Sequence, residues 1–261
     1  MTLPVLSGCV FRVGASSTNG VREENQDRLT SFQSPFGHLF VLADGMGGHK
    51  GGALAAGIAT SMLPQILRSL PASTPAPDAL VQSIDRLNTV IVDEGRSSGS
   101  DVEGMGSTLV VLLVRHTPDG ALAIGAHVGD SRIYFLRNDR LFCLTRDHTM
   151  VRDLLDAGAL TPEQAVDHPQ ASVLTRALGR EGPVAVDLTS WMQVQVDDMF
   201  LLCSDGLSAY AEMEDIQATL AQPESPQVIA EMLVRLALRE SSEDNISVLV
   251  VRAEPAAADP G

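Results

Sequence analysis

The chain has 261 residues, 44% of them hydrophobic, enough for one large domain or two small ones. Its 18 basic and 33 acidic residues leave a formal net charge of -15, which repels phosphate backbones and argues against nucleic acid as a partner. No run approaches the roughly 20 apolar residues of a membrane helix. The start, MTLPVLSGCVFRVG, lacks the basic and long apolar regions of a signal peptide, so a cytoplasmic protein without membrane contact is expected.

Taken in chain order, the first strong strand signal is the apolar run 39–43. A helix is expected over 53–63, stopped or kinked at Pro64, then a Pro-rich loop at 70–78. Residues 78–94 place Leu80, Ile84, Leu87 and Ile91 at helical intervals. Strands follow at 108–114, 121–128, 132–137 and 141–144. Pro118-Asp119-Gly120 and Asn138-Asp139 separate them as turn signals, which indicates antiparallel hairpins. An insert at 148–180 contains TPEQ, a capping box between Thr161 and Gln164. A strand at 199–203 precedes two helices, the second over 226–240 with Ser225 as N-cap and Pro226 at its first position. The last strand is expected at 246–252 and a disordered tail at 254–261. This order indicates an α+β fold of antiparallel sheets covered by helices. Cys9, Cys143 and Cys203 are odd in number, widely spaced and in or beside apolar runs, which favours buried thiols over disulfides or a zinc site.

The acids are placed unevenly. Asp44, Asp130 and Asp205 each follow an apolar strand, Asp244 immediately precedes the last one, and Asp27 sits in VREENQDRL. Carboxylates gathered at one end of a sheet repel one another unless cations lie between them, and an all-oxygen set suits Mg²⁺ or Mn²⁺. Acids and glycines also cap strands and make turns, so this pattern alone leaves both readings open.

Eight stretches in sequence resemble the metal-dependent type 2C protein Ser/Thr phosphatases in their bacterial form. They are GVREENQD (20–27), ADGMGGHKGG (43–52), GMGSTLVV (104–111), HVGDSRIY (127–134), LTRDHT (144–149), the insert at 154–179, LLCSDGL (201–207) and EDNISVLVV (243–251). The resemblance implies a four-layer αββα sandwich of two antiparallel sheets flanked by helices, with a helical flap at about 148–180 in a single domain over 1–253. It implies two divalent cations, Mn²⁺ or Mg²⁺, and a possible third. Asp44 would bridge the two, with the Gly45 carbonyl on one. Asp205 and Asp244 would hold the other, Asp27 would serve the first, and Asp130 would hold the third, weaker ion. A water bridging the metals, held by Asp44, Asp205 and Asp244, would attack phosphorus, and Arg22 would grip the phosphate. Gln26, His49 and Asn245 would lie in the surrounding shell.

Two departures matter. Met46 stands where many eukaryotic relatives carry a His proposed as general acid. NQD replaces a frequent NED, so Gln26 brings no charge. His127 and His148 are expected to be buried structural histidines, and His168-Pro169 to shape the flap. The resemblance implies hydrolysis of phosphoserine and phosphothreonine on proteins, by a monomer opposing a bacterial Ser/Thr kinase. A regulatory module that binds phosphoproteins without turnover, and a small-molecule phosphohydrolase, are the competing readings.

Overall fold

The computed structural model describes residues 9–46, 48–97, 102, 104–166 and 168–256, without the side chains of 48–50 and 166. Thirteen strands and seven helices occur among the described residues. In chain order they begin with β1 (Cys9–Thr18), β2 (Arg28–Ser34), β3 (Gly37–Ala43) and β4 (Gly45–Met46), then α1 (Gly48–Ser69) and α2 (Ala76–Ser97). Next come β5 (Gly106–Ser107), β6 (Leu109–Thr117), β7 (Gly120–Val128), β8 (Arg132–Arg137) and β9 (Arg140–Cys143). The insert carries α3 (Met150–Asp156) and α4 (Pro162–Val166), and β10 (Asp187–Leu188), β11 (Met192–Val194) and β12 (Met199–Cys203) follow. The chain closes with α5 (Asp205–Ser208), α6 (Met213–Leu220), α7 (Pro226–Arg239) and β13 (Ile246–Pro255).

All strand pairings are antiparallel. One sheet runs β1-β13-β12-β8-β9; the other runs β10-β7-β6-β3-β2, with β11 also on β7. The central strands are apolar on both faces because each face meets a different layer. On β6, Leu109, Val111 and Leu113 pack with α1 and α2, while Val110, Leu112 and Val114 face the opposite sheet. On β12, Met199, Leu201 and Cys203 pack with α5, α6 and α7, while Phe200 and Leu202 face inward. Three separate apolar clusters thus fill the three interfaces of an αββα sandwich, as expected.

The local signals hold at several points. Asn138 and Asp139 both have positive φ (49° and 57°), the conformation of a two-residue hairpin turn. Thr161 and Gln164 close their capping box (2.9 and 3.4 Å), and Ser225 Oγ accepts the Val228 N–H at 3.3 Å.

Four expectations need correction. Helix α1 starts at Gly48 and runs through Pro64 to Ser69. The proline removes one helical hydrogen bond, but Leu63 and Leu67 on either side are fully buried, and packing holds the helix together. Cys143 is exposed, because it ends β9, a short edge strand; Cys9 and Cys203 are buried. The last strand extends to Pro255, pairing Glu254 with Val10 and Pro255 with Cys9; residues 257–261 of the expected tail lie outside the described residues. Finally, β1 and β2 were not evident in the sequence. Both are edge strands with an irregular pattern of exposure: β1 leaves Val10 and Val13 uncovered, and β2 buries only Ser34. Among the described residues, no helix is long and apolar enough to cross a membrane.

Candidate active site

The acids singled out in the sequence lie where strands stop. Asp44 follows β3, and its backbone is gripped by the β5–β6 junction. Its N–H donates to Thr108 Oγ1 (3.1 Å), and its carbonyl accepts from Thr108 N–H (2.8 Å) and Ser107 Oγ (2.9 Å). Thr108 Oγ1 also pairs with Ser131 Oγ (2.7 Å), the neighbour of Asp130. Asp130 follows β7 through Gly129, whose φ of +104° suits glycine alone; a Cβ there would fall 2.7 Å from Thr108 Cβ. Asp205 opens α5 directly after β12, and Asp244 stands just before β13.

Asp44, Asp130, Asp205 and Asp244 line one cavity of about 710 Å³, with Arg22, Gln26, Gly45, Met46 and Asn245 also in its wall. Asp27 lies behind it, only 3% exposed. Its Oδ2 accepts from Ser204 Oγ at 2.9 Å, while Oδ1 is buried without a hydrogen-bond partner. Burial, and then the charges of Asp27, Asp205, Asp130 and Asp244, push Asp44 well above the ordinary carboxylate range. Burial, with Asp205 next, raises Asp130 to about 7, and burial, with Asp244 next, raises Asp205 to about 6. Asp27 rises too, chiefly from burial. Among the described residues, no basic side chain forms an ion pair with any of these four.

Asp244 differs. Its Oδ2 accepts from Arg22 Nη2 (2.9 Å), and Arg22 Nε donates to the Glu243 carbonyl (2.8 Å). Both side chains are partly exposed, so this pair is weak and exchangeable. Asn245 ties the loop before β2 to the start of β13. Its Oδ1 accepts from Gln26 N–H, and its Nδ2 donates to the Asn19 and Glu24 carbonyls.

Gly45 and Gly52 are explained by contact. A Cβ on Gly45 would fall 2.1 Å from the Gly52 carbonyl oxygen, and one on Gly52 would fall 2.3 Å from Gln26 Oε1. The glycine run therefore lets the first turn of α1 lie directly against the strand that follows Asp44. The His49 side chain lies outside the described residues.

His127 and His148 are buried, as expected. Ser204 and Thr108, which hold Asp27 and Asp44, lie inside LLCSDGL and GMGSTLVV, where nothing in the sequence distinguishes them from their neighbours. Asp187, a partner of His148, was missed because it lies outside every motif.

The protein phosphatase 2C family pattern matches residues 16–247. A serine/threonine phosphatase stp from Listeria innocua is 35% identical over 235 residues, 88% of this chain and 91% of that protein. The solved serine/threonine phosphatase of S. agalactiae superposes with a TM-score of 0.86 at 32% identity, over 94% of this chain and all of that one. The catalytic domain of a serine/threonine protein phosphatase PstP, solved in complex with two manganese ions, gives a TM-score of 0.79 at 33% identity, over 94% and 99% of the two chains. With the fold, the ordered motifs and these likenesses in agreement, the chain belongs to the protein phosphatase 2C family, alongside the bacterial serine/threonine phosphatases.

Proposed function

We propose that the Asp44 cavity is where the chain hydrolyses phosphoserine and phosphothreonine on proteins. Its family makes it a protein serine/threonine phosphatase dependent on divalent cations. The observation that carries the assignment of the site is the set of buried carboxylates sharing one cavity with Arg22 and lacking basic partners. Such a set is unstable as charged groups alone, and its hard oxygen donors, including the unpartnered Asp27 Oδ1, fit hard divalent cations.

Asp44, the Gly45 carbonyl, Asp205, Asp244 and Asp27 would hold two Mn²⁺ or Mg²⁺ ions, and Asp130 a third, weaker one. Ions held there supply an acidified water and shield the phosphate's charge. Arg22 spends Nε and Nη2 on Glu243 and Asp244, which leaves Nη1 for a phosphate oxygen. Thr108 and Ser107 fix the Asp44 backbone, and Ser204 orients Asp27. Met46 lines the cavity but has no proton to give, so no side chain is assigned as general acid. Ser172 and Leu174, from the insert, also line the cavity and would meet the peptide around the phosphorylated residue. The same reading sets the enzyme opposite a serine/threonine kinase, as a monomer whose phosphatase domain spans residues 1–253.

The test is hydrolysis of p-nitrophenyl phosphate and a phosphothreonine peptide with Mn²⁺, with Mg²⁺ and with chelator, by wild type and Asp205→Asn. Cation-dependent turnover by the wild type alone supports the reading. Turnover that survives the chelator or the substitution overturns it.

A further inference from the structure

His127, His148 and Asp187 bring potential metal-ligating atoms within 4.8 Å of one another, away from the Asp44 cavity. The hydrogen bonds show why this cluster is something other than a metal site. The Gly129 N–H donates to His148 Nδ1 (3.1 Å), so that nitrogen carries no hydrogen. His148 is fully buried and burial lowers its pKa, which keeps the ring neutral, so the single N–H sits on Nε2 and donates to Asp187 Oδ2 (3.1 Å). Neither nitrogen of the His148 ring has a lone pair to offer a cation, which leaves His127 Nδ1 as the one free nitrogen of the cluster, too few ligands for a metal. The Arg176 guanidinium also occupies the space, with Nη1 2.7 Å from Asp187 Oδ1 and 3.2 Å from His148 Nε2.

The same contacts connect two walls of the active-site cavity. On one side, His148 grips Gly129 twice, through its ring and through its own N–H to the Gly129 carbonyl (3.1 Å). Gly129 leads directly into Asp130. On the other side, the His148 carbonyl accepts the Thr175 N–H (2.9 Å), Thr149 bridges to Leu174, and Met150 N–H donates to the Val173 carbonyl (2.8 Å). These residues are the returning limb of the insert, and Ser172 and Leu174 line the same cavity as Asp130. Arg176 closes the circuit through Asp187. His127 stacks on the His148 ring at 4.6 Å and hydrogen-bonds the Arg146 carbonyl (2.9 Å).

We propose that His148, oriented by Asp187, is a positioning residue that locks the returning limb of the insert, residues 172–176, to the turn carrying Asp130. It thereby sets both the grip on a phosphopeptide and the response to a cation at Asp130. The kinetic part rests on the proposed function; the structural coupling does not.

The experiment compares wild type, Asp187→Ala, His148→Asn and His148→Ala. Amide hydrogen exchange is followed on the cation-free chains, and kinetics with p-nitrophenyl phosphate and a phosphothreonine peptide across a Mn²⁺ titration. Asp187 is partly exposed, so its replacement leaves the core intact. In Asp187→Ala, exchange at 172–176 rises about tenfold or more, an opening easier by about 1.4 kcal/mol. The KM for the peptide increases several-fold, and p-nitrophenyl phosphate turnover changes less. In His148→Asn, the amide oxygen still accepts the Gly129 N–H, so this variant behaves like Asp187→Ala and keeps a wild-type Mn²⁺ response. His148→Ala also loses protection at 127–131 and needs several-fold more Mn²⁺.

Wild-type exchange at 172–176 in both Asp187→Ala and His148→Asn overturns the coupling. Equal losses on both substrates, with faster exchange throughout the chain, also overturn it, because they mark general destabilisation. A wild type with no phosphatase activity would refute the proposed function, while the exchange measurements still judge the coupling.

Discussion

Two buried groups of carboxylates in this chain have been handled in opposite ways. Asp198, 2% exposed, receives two bonds from Arg137 (2.7 and 2.5 Å) and one from the Gln195 N–H. Asp147 is likewise clasped by Arg132 at 2.9 and 2.6 Å. Each is neutralised by a planar guanidinium in bidentate geometry. Asp27 is equally buried and Asp44, Asp130 and Asp205 are half-buried in the cavity wall, yet among the described residues none of the four is ion-paired with a basic side chain. The comparison teaches that burial of an acid is no sign of function. What marks the site is burial without a countercharge, at a place open to a cavity.

The contrast is sharpest when one member of each group is removed. Asp205→Asn is expected to cut cation-dependent turnover by more than about 100-fold, since even residues behind metal ligands cost 10–100-fold. In chelator its Tm should rise, because one repelling charge is gone. Asp198→Ala should do the reverse. Stability falls by about 2 kcal/mol, less than the 3–5 kcal/mol of a fully buried pair because Arg137 is partly exposed, and turnover per folded molecule stays near wild type. Thermal melts in chelator beside Mn²⁺-saturated assays check both, and equal signs for the two variants would break the comparison.

Ser204→Ala tests the supports of the unneutralised group. It removes the hydrogen bond from Ser204 Oγ to Asp27 Oδ2 and should raise the Mn²⁺ concentration for half-maximal activity by about tenfold. An unchanged Mn²⁺ titration would show that Asp27 does not act through the cations.

The smallest effect lies at the far end of β3. His38 stacks on Phe40, and burial lowers its pKa. Arg115 and His116 of β6 share its groove. A lowered folded pKa means the unfolded chain takes up the proton first, so stability is lost as pH falls below about 6.5. His38→Phe should therefore lose less Tm than wild type between pH 7 and pH 5. A steeper acid loss in the variant would contradict this.

Much of this was legible in the sequence, for identifiable reasons. The central strands show as unbroken apolar runs because they are covered on both faces, and the acids stand out because each interrupts or borders such a run. The family motifs added the order of the layers. Strands β1 and β2 escaped because edge strands bury only part of one face. Pro64 suggested a helix end because propensity says nothing of the core that Leu63 and Leu67 enter. The tie between His148, Asp187 and Arg176 was invisible because residues 28 and 39 positions from His148 meet it only in the folded chain.

The central claim is that the unneutralised carboxylates exist to hold cations. Its most direct test is the melting temperature of wild type and Asp44→Asn, each stripped with chelator and then titrated with Mn²⁺. Stripped Asp44→Asn should melt above stripped wild type, and Mn²⁺ should raise the wild type strongly, by about 2.7 kcal/mol at a hundredfold excess over Kd, with little effect on the variant. A wild type indifferent to Mn²⁺, or an Asp44→Asn variant that melts lower when stripped, would contradict the account.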